Sequence, residues 1–121
     1  MTDAAVSISP TDIETLEQLY TFRERTEVFK FLDKHSFLIP VLLEAPEKIR
    51  HYFPESQLFL EVVPDREIID YVLLVLSILT KLDPDDAIAR QKQMELDWWL
   101  NSTTHEVRSQ LITLLEYPDD F

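Results

Sequence analysis

The chain has 121 residues, no glycine, no cysteine, and 23 acidic against 11 basic side chains, a formal charge of −12. At the average usage of about 7%, roughly eight glycines would be expected. Their absence excludes the P-loop, the dinucleotide fingerprint, the EF-hand turn and the hydrolase nucleophile elbow, and absent cysteine excludes disulfides, thiolate metal sites and thiol nucleophiles.

The length suits one domain, and 45% hydrophobic residues supply a packed core. The longest uncharged stretch, residues 71–80, has ten residues, short of the roughly 18 that cross a bilayer. No basic residue precedes Arg23, so the start lacks the positive end of a secretory signal. Soluble, cytoplasmic residence is the expectation. Acid is unevenly spread: residues 1–53 hold nine acids and six bases, residues 54–121 fourteen and five. Such a surface repels phosphates and anionic lipids, which disfavours nucleic acid and membrane as partners. The same field would steer in a basic protein.

In chain order, residues 1–8 lack periodicity and read as a flexible tail, with a single domain over 9–121. A helix starts at Ser9-Pro10, with Thr11 and Glu14 as a capping box. Ile13, Leu16, Leu19 and Tyr20, then Val28, Phe29, Phe31 and Leu32, carry its buried side on to Lys34-His35. Ser36 reads as the cap of a second helix, with Pro40 in its first turn. Pro46 kinks that helix or starts another, and Pro54 ends it. Residues 58–63 form a short apolar strand bounded by prolines. Residues 71–80 fit a strand buried on both faces or a helix; strand is the preferred reading. Asp83-Pro84 starts a helix to about Leu100, and Asn101 takes the left-handed position after it. Residues 111–117 are a last strand. The resulting fold class is α+β: N-terminal helices, then a β-β-α-β unit forming a small mixed sheet with helices packed on it.

Several phrases together carry a resemblance: Phe37-Leu38-Ile39-Pro40, Glu44-Ala45-Pro46-Glu47-Lys48-Ile49, Tyr52-Phe53-Pro54, Leu60-Glu61-Val62-Val63, Trp98-Trp99-Leu100 and Leu115-Glu116-Tyr117. Over roughly residues 28–117 the chain resembles a group of small acidic proteins found mainly in cyanobacteria. The resemblance implies a strand before the proline-started helix. It brings no activity, so no residue role is carried over. The chain departs from the group at Ser109-Gln110, where a Gly-Lys pair is expected before the last strand.

Few residues point to chemistry. Adjacent helix positions diverge by about 100°, so one ring of Trp98-Trp99 is expected in the core and the other at the helix edge or against a partner. Asp83, Asp85 and Asp86 are accounted for as helix-start residues, and Asp97 is expected to face solvent. His35, His51 and His105 lack the spacing of a zinc helix, and no serine sits in an elbow or oxyanion-hole signature. Glu61 interrupts an apolar strand; alternation places it with Phe59 and Val63, opposite Leu58, Leu60 and Val62. No catalytic residue, cofactor or metal is expected. Trp98, Trp99, Glu61 and Asp97 are the candidate interface residues.

The leading expectation is a non-enzymatic interaction or regulatory protein that presents an acidic surface to a protein partner, with a homodimer possible. The rival is a small ligand-binding protein or hydrolase with a pocket between helices and sheet.

Overall fold

The structure, a computed structural model, describes residues 8–65 and 67–118. The expected flexible tail therefore lies outside the described residues except for Ile8, which is buried in the core. The fold is α+β, with a four-stranded mixed sheet in the order β1-β2-β3-β4.

Helix α1 spans Pro10–Leu19; its N-cap is Ser9, whose hydroxyl accepts from the Asp12 amide at 3.1 Å. Thr11 lies inside the helix, with its carbonyl accepting from Thr15, so the cap sits two residues earlier than the Thr11 capping box. The single long helix expected to Lys34-His35 is two helices. Tyr20 turns extended, Thr21–Phe22 form strand β1, and α2 runs Arg25–Lys34. β-branched and aromatic residues at positions 20–22 favour extended backbone, and the long run of helical spacing conceals so short a break.

A 3-10 turn, Ser36–Leu38, leads into α3, Ile39–Tyr52. Ser36 is not the expected cap: it lies inside the turn, whose N-cap is His35, and the N-cap of α3 is Leu38. Pro40 lies in the first turn as expected, and Pro46 lies inside the helix, which continues past it. Proline has no N–H, so the Leu42 carbonyl four residues back loses its helical donor. The buried Tyr20 hydroxyl replaces it, donating to the Leu42 oxygen at 2.6 Å. Burial holds the Tyr20 hydroxyl far above the usual phenol range, so the group remains a donor.

Strand β2, Gln57–Pro64, and β3, Val72–Leu79, are antiparallel; β1 runs parallel to β2, and β4, Leu111–Glu116, runs parallel to β3. The ambiguous segment 71–80 is thus a strand. Helix α4, Pro84–Met94, is capped by Asp83, which accepts from the Asp85 amide. It passes through a π-helical turn, Glu95–Trp99, into a short α5, Leu100–Ser102; α6, His105–Gln110, then runs directly into β4. Asn101 stays helical and its amide donates to the Leu96 carbonyl. It is not the left-handed cap: among the described residues Glu24, Glu55 and Asp70 hold the positive φ angles. Ser109-Gln110 needs no glycine, because helix passes straight into strand there. Tyr71 fixes the junction by donating to the Ser109 carbonyl and accepting from Gln110.

Every helix that packs on the sheet does so on one face. Leu58 and Leu60 of β2, Leu74, Leu76 and Ile78 of β3, and Leu111 of β4 join Leu16, Leu32, Leu42, Ile49, Met94 and both tryptophans in one core. Val75 is equally buried yet lies outside that cluster, since alternation turns it to the other side.

Candidate functional site

The second face of the sheet carries Phe59, Glu61 and Val63 from β2, Leu73, Val75, Ser77 and Leu79 from β3, and Ile112, Leu114 and Glu116 from β4. Period-two alternation assigns them there, and the register aligns Glu61 with Val75 and Val75 with Ile112. No helix covers this face among the described residues: Leu114 is 48% exposed, and Leu73 and Ile112 are half-buried. A concavity of about 510 Å³ opens on it, floored by Val63, Leu73, Val75, Ile112 and Leu114. Four carboxylates, Glu61, Asp65, Glu67 and Glu116, also line it.

One end is closed by a polar clasp across the whole sheet. Arg23 follows β1, and its amide donates to the Leu60 carbonyl. Its guanidinium stacks 4.2 Å above the Phe59 ring and reaches Glu116 on the opposite outer strand in a two-pronged bond of 2.6 and 2.8 Å. Glu61 lies 3.6 Å away from the same guanidinium. The hydrogen bond from Arg23 holds the Glu116 carboxyl below its usual range, aided by the Ser77 hydroxyl, while burial opposes the shift. Glu116 in turn holds the Arg23 guanidinium above its ordinary value. Beside this pair Ser77 is buried, on a face that no helix covers among the described residues.

The other end is bounded by the β2–β3 turn. Asp65 Oδ1 accepts from the Glu67 and Ile68 amides, a side-chain-stabilised turn that replaces a glycine turn. The turn leaves Ile68 54% and Ile69 88% exposed.

Of the four residues singled out in the sequence, only Glu61 belongs to this face. It is half-buried on a central strand, facing as alternation requires. Trp98 and Trp99 are both buried, with ring centroids 5.4 Å apart, so neither ring is left at the helix edge. The π-helical turn carrying them is wider than an α turn, which narrows the angle between successive side chains and turns both inward. The Trp98 indole N–H is buried without an acceptor among the described residues. Asp97 is exposed on the same turn, accepting from Tyr52 and Gln93, both at 2.8 Å. These bonds, Gln93's first, hold its carboxyl below the usual range, and Tyr52 is raised in return.

The sequence reading missed Arg23, Glu116 and the apolar floor. Local pattern marks Arg23 as a solvated charge; its role depends on a residue 93 positions away. Among the described residues no group of three or more histidine, aspartate or glutamate side chains converges as a metal site requires. None of the three histidines lines the concavity, and among the described residues no helix is long and apolar enough to cross a membrane. Comparison of the chain with protein-family models, curated proteins and solved structures finds no match in any of the three.

Proposed function

We propose that this protein is a non-enzymatic interaction protein that presents the open, acid-bordered face of its sheet to a protein partner. The observation that carries this reading is the concavity itself: an apolar floor on three strands, uncovered, with four carboxylates and one guanidinium around it among the described residues. Exposed apolar patches with polar borders mark interaction sites, and the acid border favours a partner of positive charge.

A hydrolytic reading finds less support. The Ser77 hydroxyl is engaged by Glu116, and no imidazole stands beside it to act as base. The concavity also lies on the side of the sheet away from the helices, so it is not the helix–sheet pocket of the rival reading.

Affinity capture from a native lysate with wild-type protein and with Leu114→Glu tests the proposal. Proteins retained by wild type and lost by the variant, with unchanged circular dichroism, are the expected result. Equal retention by both would place binding elsewhere on the surface.

A further inference from the structure

Resting on that reading, we infer that the guest of the open face is an amphipathic helix of a partner protein, with apolar side chains on one stripe and lysine or arginine along its flanks. The shape of the trough gives the first argument. It spans three strands, about 10 Å at the usual inter-strand spacing, and it runs from the level of Leu73 to that of Ser77, about 13 Å along the strand. A helix with its side chains is about 10–12 Å across and rises 1.5 Å per residue. One helix of about nine residues therefore fills the trough between the Arg23–Glu116 clasp and the β2–β3 turn. The helices on the other side already pack on this sheet by their apolar stripes, so the open face repeats for a guest what the core does within the chain.

Charge gives the second argument. Glu116 spends both oxygens on Arg23, and Glu61 shares that guanidinium at a longer distance. Glu67 is exposed, and Asp65 uses one oxygen for the turn. The acid border, the exposed Glu67 above all, offers carboxylate oxygens to the ammonium or guanidinium groups of a guest. Flanking cations on an otherwise apolar helix match this arrangement. A second copy of the chain does not. It would bring the same carboxylates face to face between two molecules of charge −12 each, and like charges opposed across an interface are costly. The exposed Ile68 and Ile69 beside the acid border offer further apolar contact to a helix that overhangs the trough.

The test is fluorescence anisotropy with synthetic labelled helices of about 15 residues: one with leucines at i, i+3, i+4 and i+7 flanked by lysines, one with glutamate replacing lysine, and one with serine replacing leucine. The lysine–leucine helix is expected to bind, and each altered helix to bind about tenfold or more weaker. Leu114→Glu is expected to weaken the lysine–leucine helix by a similar factor. That variant adds negative charge, so diffuse attraction of a cationic peptide to an acidic protein would grow, and a loss can only come from the face itself. Glu67→Gln should weaken binding a few-fold and flatten its salt dependence. Equal binding of wild type and Leu114→Glu, or of the leucine and serine helices, would overturn the inference. So would sedimentation showing a dimer that Leu114→Glu dissociates, because a second copy would then occupy the face. If no helix binds but lysate capture still depends on Leu114, the proposed function survives and only the chemistry assigned to the guest fails.

Discussion

The two faces of the sheet are both apolar, yet they are finished in different ways. On the inner face, Leu60, Leu74, Leu76 and Leu111 are fully removed from solvent by helices. On the outer face, Val75 and Ser77 are as deeply buried, but no helix packs over them among the described residues, and Ser77 is bonded to Glu116 of the clasp. The first arrangement is non-directional and rests on area. The second depends on one guanidinium holding its geometry across four strands. Burial alone therefore does not distinguish the two faces; the presence of a helical layer does.

The comparison is broken most severely by truncation. On the inner side, Trp98→Ala and Trp99→Ala should each cost about 3–5 kcal/mol and Leu76→Ala about 2–5 kcal/mol in urea melts. On the outer side, Leu114→Ala should stay within about 1 kcal/mol, since the side chain is half exposed and surface changes are small. A large loss at Leu114 would make the outer face a part of the monomer core.

Next in size is the polar exception on the helical side. Tyr20→Phe leaves the Leu42 carbonyl without a donor and should cost about 1–3 kcal/mol. In a Pro46→Ala background the helix regains its own N–H for that oxygen, so the same substitution should cost clearly less. Equal costs in the two backgrounds would mean that the tyrosine does not compensate for the proline.

The clasp is expected to be weaker and to depend on pH. Arg23→Gln should cost about 1 kcal/mol at neutral pH, once screening by solvent is allowed for. Glu116 is held below its ordinary value by Arg23. Its contribution is therefore complete above the unfolded glutamate value of about 4.3 and disappears as pH falls through the lower native one. The gap between wild type and Arg23→Gln should narrow as melts move from pH 7 to below about 4. A gap independent of pH would assign the effect to the Phe59 stacking alone.

The smallest change is a gain. Glu24 and Glu55 hold φ angles of 58° and 64°, where a side chain is disfavoured. Part of that relief is offset by the greater freedom of glycine in the unfolded chain. Glu24→Gly and Glu55→Gly should each stabilise by about 0.5–1 kcal/mol, read as a rise in melting temperature.

Much of the fold was legible because it is written in local chemistry. Asp83-Pro84 starts α4, the alternation of 58–63 orients Glu61, and the charge-free run 71–80 is a strand buried on both sides in its middle. What escaped depends on distance or on a change of helical phase. Two residues, Thr21 and Phe22, are too few to show a period, so β1 was hidden within a helical pattern. The inward turn of both tryptophans follows from a π turn that no residue type announces. The clasp joins the first strand to the last, and the outer concavity is defined only once three strands lie side by side. Proline positions were visible throughout; the donor that answers Pro46 came from Tyr20, in the extended link after α1.

The clasp also bears on the order of events when the chain is made. Arg23 is synthesised 93 residues before Glu116, so the bond between them can close only after β4 has added to β3. Until then the β2–β3 hairpin has hydrophobic residues on both sides, with one side lacking its final cover. Long-range closures of this kind come late and slow folding, and exposed strand edges invite association meanwhile. A nascent chain of this protein would thus meet its surroundings with the outer face of the hairpin more open than in the finished molecule.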